Sequence, residues 1–250
     1  MTTGEDIQMF TARRAYEFRQ DELRLTLITL EQVRGVLKRV FNFEVVAIGN
    51  PLPTFGVVAN SIPPGLACDF GSIPFPEGRI TPIRFVHFEP QRLVIDVAGS
   101  SDSIDEVYKL IREILREVRS PDGVPALGEP IKIRDFTALT MRIPIDLDTV
   151  LNPKLADIAR RILDPQEQAR SSTLIPQLRI SLSQPDGMFA PEVGSENASY
   201  QFELRIGTNV EDRVFLSAAP LDSETHKKYV REIAVSLLSP RKDIKRRKAE

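Results

Sequence analysis

An α+β fold made of two similar halves is predicted by three features of the sequence. Helical stripes with recognisable starts occur four times, period-two segments lie between them, and one order of elements occurs twice. The chain has 250 residues, 42% hydrophobic and 27% charged, an ordinary globular composition. That length suits one large domain or two of about 125 residues.

The helices come first. Thr29 precedes the first with Gln32 three residues on, the spacing of a capping box. Leu30, Val33, Val36, Leu37, Val40 and Phe41 then recur at i, i+3 and i+4 steps. The second starts near Asp102 and carries Ile104, Val107, Tyr108, Ile111, Ile114, Leu115 and Val118 in the same way. Asn152-Pro153 opens the third, with asparagine as cap and proline where its missing N–H is harmless. Leu155, Ile158, Ala159 and Ile162 form its stripe. The fourth follows Asp222, carries Tyr229, Ile233, Ala234 and Leu237, and stops at Pro240.

Between helices the period is two. Strands are expected at 23–28 (Leu23, Leu25, Leu27), 92–97 (Leu93, Ile95, Val97) and 138–145 (Leu139, Met141, Ile143, Ile145). Further strands are expected at 174–182 (Leu174, Leu178, Ile180, Leu182), at 200–206 (Tyr200, Phe202, Leu204, Ile206) and over RVFLSA. Strict alternation marks half-buried strands, hence an antiparallel sheet with helices on one side only.

The order then repeats. Residues 14–118 read strand, helix, one or more strands, a hairpin (82–98) and a helix; residues 133–238 read the same, with a hairpin at 200–218. Both hairpins run into their helix through an acidic cap, in VIDVAGSSDSIDE and FLSAAPLDSET. The expected organisation is a first half over 1–119, a Pro/Gly-rich linker over 120–130 (SPDGVPALGEP), a second half over 131–239 and a basic tail over 240–250.

Two β-α-β-β-β-α units in one chain resemble the TATA-binding-protein fold. TALTMRIPIDLDTVLNPKLADIARRIL and YQFELRIGTNVEDRVFLSAAPLDSETHKKYVREIAVSLL carry the likeness best. The resemblance implies one curved antiparallel sheet, joined across the halves, with four helices on one face. It is a likeness of topology: the paired intercalating phenylalanines and the basic charge of that family are not found in this sequence. The chain also resembles sporadically distributed prokaryotic proteins of about this length. The competing architecture is a pair of ferredoxin-like domains with separate sheets.

Chemistry is sparse. There is no G-x-x-x-x-G-K-[ST], and no G-x-G-x-x-G follows a strand; GSIPFPEG (71–78) reads as a proline-bearing loop. The one cysteine, Cys68, excludes an internal disulfide and multi-cysteine metal sites, and beside Asp69 it reads as a small packed residue. His87 lies in the strand FVHFE with Glu89 on the same face and reads as a satisfied sheet histidine. His226, next to Lys227 and Lys228, reads as solvated. Asp146 and Asp148 read as acids ahead of a helix rather than metal ligands. The expectation is a protein with no catalytic residues and no cofactor.

Charge locates the candidate binding residues. With 33 Lys and Arg against 35 Asp and Glu the net charge is −2, so no global field favours nucleic acid or a membrane. If the leucine-rich positions face the helices, period two sends Arg24, Arg84, Arg92, Arg142, Arg179 and Arg205 to the other face, with Arg213 if its strand keeps phase. Arginine's planar fork suits phosphates and stacking on bases. The tail adds Arg241, Lys242, Lys245, Arg246, Arg247 and Lys248. The expected function is a non-catalytic module binding nucleic acid on the helix-free face, or else a protein-interaction or scaffold subunit with an acidic partner. Oligomeric state stays open. No apolar run approaches the ~18 residues of a membrane span, and the N-terminus lacks the basic start and apolar stretch of a signal peptide. A cytoplasmic location follows.

Overall fold

Strand pairing answers the first architectural question. The computed structural model describes residues 7–49, 65–74, 78, 80–145, 179–183, 199–205 and 213–238. Its strands are β1 (Ile7–Glu17), β2 (Val45–Ile48), β3 (Leu66–Pro74), β4 (Ile80–Glu89), β5 (Arg92–Val97), β6 (Lys132–Arg142), β7 (Arg179–Ser183), β8 (Ser199–Leu204) and β9 (Val214–Ala219). Its described helices are α1 (Leu25–Ile28), α2 (Glu31–Val40), α3 (Ser101–Arg116) and α4 (Ser223–Leu238). All nine strands join one open sheet, ordered β2-β3-β4-β5-β1-β6-β9-β8-β7. Every pairing is antiparallel. The protein is α+β, and two separate sheets are excluded by β1 pairing β6 from Ile7↔Met141 to Glu17↔Lys132.

That central strand is the main departure from expectation. β1 escapes a period-two reading because its apolar phase slips: Ile7 and Met9 pack on the helix side, then a bulge between Met9 and Thr11 hands that side to Ala12 and Tyr16. The expected strand over 23–28 is instead a single bridge at Leu23 followed by the short helix α1. Leu25 and Ile28, three apart, are its buried residues, and Thr29 Oγ1 donates to Leu25 O at 2.9 Å. Thr29 therefore does not cap α2; Leu30 takes the N-cap position without a side-chain bond. Four strands follow α2: β2 and β3 come before the hairpin β4–β5, where a β-α-β-β-β-α unit has three strands in all between its helices. The loop expected over 71–78 begins as strand, with Gly71–Pro74 in β3. A Cβ at Gly71 would sit 2.5 Å from the Phe43 ring, so the close approach needs glycine. The expected helix at 152–162 and Asp146 and Asp148 lie outside the described residues.

The helices cover one side. Ile104, Val107, Ile111 and Leu115 of α3 join Ala12, Tyr16, Leu93, Ile95 and Val97 in one buried cluster. Val230 and Ala234 of α4 join Leu139, Met141, Phe202 and Phe215 in another. Each buried Val, Leu, Ile, Phe or Met side chain among these stabilises the fold by about 1.5–3 kcal/mol. Arg14 ties the clusters together from beneath the helices: its Nε lies 2.6 Å from Asp135 Oδ1 on β6, and its Nη1 pairs with Asp105 on α3. The helix starts also meet. Ser101 N–H donates to Ser223 Oγ at 2.7 Å, and Ser223 N–H donates to Ser101 Oγ at 3.1 Å. The acidic cap holds for α4, where Asp222 accepts from the N–H groups of Glu224 and Thr225. These bonds, that of Thr225 foremost, keep the Asp222 carboxyl below its ordinary range. It does not hold for α3, whose N-cap is Ser100 with no side-chain cap bond.

His226 corrects a second expectation. It is not solvated but fully buried in the first turn of α4. Its Nδ1 lies 2.8 Å from Thr137 Oγ1 and its Nε2 2.8 Å from Ser217 Oγ. Because Thr137 Oγ1 donates to Leu221 O, its free lone pair accepts from His226 Nδ1–H, and Ser217 donates to Nε2. Burial pushes the imidazole down to about 4. Among the described residues, no helix is long and apolar enough to cross a membrane.

Candidate binding face of the sheet

Period two defines the face that the described helices leave uncovered. Leu93, Ile95 and Val97 belong to the helix-side cluster, so Arg92, Val94 and Asp96 point the other way. From β5 the register carries this face across the sheet. Asp69 on β3, Phe85 on β4, Asp96 on β5, Arg13 on β1 and Phe136 on β6 are successive cross-strand partners in one row.

Asp96 anchors that row. It is fully buried, accepts from Arg13 Nε at 2.9 Å and accepts from Thr11 Oγ1 at 2.9 Å. A buried carboxylate needs such partners, since its desolvation is otherwise uncompensated. Held by Asp96, the Arg13 guanidinium lies 5.3 Å from the centre of the Phe85 ring and 5.9 Å from that of Phe136. Next to this row the β1 bulge presents Phe10, 47% exposed. Arg84 approaches its ring to 4.8 Å and Arg205 to 5.9 Å, one from β4 and the other from the end of β8.

The arginine candidates separate on this surface. Arg84, Arg92, Arg142 and Arg205 are brought to the helix-free side, and Arg179 occupies the register position opposite Glu203. Arg24 is not among them: it caps α1 rather than sitting in a strand, and its Nη1 lies 3.7 Å from Asp122. Arg213 is not among them either. It precedes β9 with φ of 50°, and strand phase from the buried Phe215 would give its position to the helix side. The tail candidates Arg241, Lys242, Lys245, Arg246, Arg247 and Lys248 lie outside the described residues. Strict alternation would put Phe85 on the helix side with Ile83, two positions before it, but the register shifts between Ile83 and Phe85 and Phe85 lies on the other face.

Several of these cations already have carboxylates. Besides the Arg13–Asp96 pair, Arg92 Nε donates to Glu89 at 2.8 Å, Arg134 Nε is 2.7 Å from Glu17, and Arg84 Nε is 3.9 Å from Asp96. His87 Nε2 is 2.8 Å from Asp69 Oδ1 and its ring stacks on Phe85 at 4.3 Å, as a satisfied sheet histidine does. Its partner is not Glu89, two positions along β4, but Asp69 of the neighbouring strand β3, which lies opposite Phe85. Cys68 is packed in the core, and burial with the neighbouring Asp69 pushes its thiol up to about 12.

Sequence reading missed Phe10, Arg13, Phe85 and Phe136. The face assignment of β1 and β4 depends on two bulges, and a bulge leaves no mark in alternation beyond its breakdown. One other constellation carries chemical interest. Ser217 and His226 stand at the distance of a base and a serine nucleophile, but both are sealed where α4 meets the sheet. Their bonds serve packing. Among the described residues no three His, Cys, Asp or Glu side chains gather as a metal site. Comparison of the chain with protein-family models and with curated proteins finds no match, so the geometry of this face is what bears on function.

Proposed function

We propose that this chain is a non-catalytic binding module that takes single-stranded nucleic acid on the helix-free face of its sheet. The observation that carries the reading is aromatic: Phe10 between Arg84 and Arg205, beside the row in which Arg13 lies over Phe85 and Phe136. Sheet-borne aromatic rings interleaved with arginine suit unpaired bases, because every base has a π-face and guanidinium planes stack on it as well. Ion pairs to Asp96, Glu89 and Glu17 occupy much of the arginine charge. Stacking, rather than phosphate neutralisation, then supplies most of the affinity. Under the same reading the chain is two TATA-binding-protein-like β-α-β-β-β-α repeats, the first with one further strand after α2, divided at 120–130 and forming one curved sheet with four helices on one side. The module is cytoplasmic and works without a cofactor, and the 240–250 tail adds non-specific phosphate contacts.

Fluorescence anisotropy with labelled single-stranded DNA and RNA 20-mers tests this. Phe10→Ala is expected to weaken binding by about 5- to 100-fold, the range of one stacked base, while the melting temperature stays within a few degrees. Between 50 and 200 mM salt the affinity should fall only modestly. A steep salt slope with an unchanged Phe10→Ala variant would move the interaction to the basic tail. A second reading, a protein partner on the same face, is favoured by the near balance of arginines and carboxylates there. Absence of any nucleic-acid binding at 50 mM salt selects it.

A further inference from the structure

On the other side of the molecule, away from the sheet face, the segment after α3 folds back along that helix. Ala126 N–H donates to Val118 O at 2.9 Å and Gly128 N–H donates to Glu22 O at 2.7 Å, which fixes the returning strand of chain. Between it and the helix lies a cleft of about 640 Å³, lined by Lys109, Arg112, Arg116 and Arg119, with Tyr108, Pro125 and Leu127 as its less polar wall and Glu113 and Glu129 at its rim. That volume is in the range of small-molecule sites.

Three observations point to a ligand. The cations outnumber the acids, and among the described residues the side chains of Lys109 and Arg116 make no hydrogen bond or ion pair. Helix polarity accounts for Arg116, which stands in the last turn where a cation offsets the dipole, but not for Lys109 two turns earlier. Arg119 is held toward the cleft by its bond to Gly123 O at 2.9 Å. The third observation is Tyr108. Its ring is stacked on Tyr16 at 3.9 Å, and its hydroxyl is shut from solvent with no hydrogen-bond partner. A buried hydroxyl without a partner is destabilising, and burial raises its titration point, so it remains a donor. An orphan donor beside a cluster of cations is complementary to one kind of group: an anionic oxygen.

We propose that this cleft binds a small phosphate monoester. Lys109, Arg116 and Arg119 would hold the dianion, the Tyr108 hydroxyl would donate to one of its oxygens, and the organic part would rest on Pro125 and Leu127. The cations exceed the carboxylates by two, which matches a dianionic phosphate. The cleft is several times larger than a bare phosphate needs, which is why a monoester fits better than the free ion.

Isothermal titration of the full-length protein with phenyl phosphate, inorganic phosphate and phenol tests it. Phenyl phosphate should bind, and bind at least tenfold tighter than either fragment. Lys109→Glu with Arg116→Glu should abolish binding, and Tyr108→Phe should weaken it about five- to tenfold, all with melting temperatures near the parent. Phe10→Ala should bind like the parent, since the sheet face is a separate surface. No heat with the parent protein, or unchanged binding in the double reversal, overturns the proposal. Loss in Phe10→Ala alone also overturns it, by moving the phosphate to the sheet face. Equal affinity for inorganic phosphate overturns the monoester assignment.

Discussion

α3 and α4 are both sixteen residues long, and they begin at Ser101 and Ser223, which exchange hydrogen bonds. Three residues into each helix the same depth is reached with different chemistry. In α3 that position is Ile104, buried in an apolar cluster with Val107, Ile111 and Leu115. In α4 it is His226, equally buried but bonded to Thr137 and Ser217. The first helix is held by surface removed from water, which is insensitive to pH. The second is held partly by a neutral imidazole whose proton sits on one nitrogen, and it stays in place only while that imidazole stays neutral. Equivalent places in one sheet can therefore tolerate very different disturbances.

Breaking the apolar side should have the largest effect. Ile104→Ala removes buried methyl and methylene groups from a packed cluster and should cost about 2–5 kcal/mol, equally at pH 7 and pH 5. Urea unfolding at both values measures it; a loss confined to the acidic condition contradicts the contrast drawn between the helices.

The polar side should respond to acid. His226 titrates near 4 in the folded chain and near 6.5 when unfolded. Between these values the unfolded chain binds a proton that the folded chain refuses. Its contribution is thus complete above about pH 6.5 and declines as pH falls toward 4, by about 3 kcal/mol in all. His226→Leu, which copies the apolar solution of α3, should flatten that decline. If stability of the parent is level from pH 7 to 4.5, the imidazole is not what the acid reads.

The smallest effect belongs to the contact the helices share. Ser223→Ala takes the acceptor from Ser101 N–H, and Ser101→Ala takes the acceptor from Ser223 N–H. Each should cost about 1–2 kcal/mol. The double variant should depart from the sum by about 0.5 kcal/mol or more, because both bonds cross one contact. Strict additivity in a double-mutant cycle would show that the two helix starts are held independently.

Much of the architecture was legible in the order of residues. Ile104, Val107, Ile111 and Leu115 recur at helical spacing because a helix against a sheet can bury only one stripe, and Leu93, Ile95 and Val97 alternate for the corresponding reason in a strand. Asp222 announced its cap because the bonds it makes are to residues two and three positions away. The Pro/Gly-rich 120–130 stretch falls between α3 and β6, outside the helices and strands, although its return along α3 did not show in composition.

Local pattern alone therefore settled where three of the described helices lie, that the fold is α+β and that its strands are antiparallel. These follow from short-range periodicity, which burial imposes residue by residue. Tertiary structure decided the rest. β1 became the central strand because its pairing with β5 on one side and β6 on the other outweighs an arginine-rich, phase-shifted sequence. Two bulges chose which of Phe10, Arg84 and Phe85 share a face, and Asp96 became an anchor only when strands eighty residues apart brought Thr11 and Arg13 to it. His226 could not be read as buried, because Thr137 and Ser217 satisfy it from other strands. A polar side chain enters a core when partners wait there, and the partners are placed by the fold.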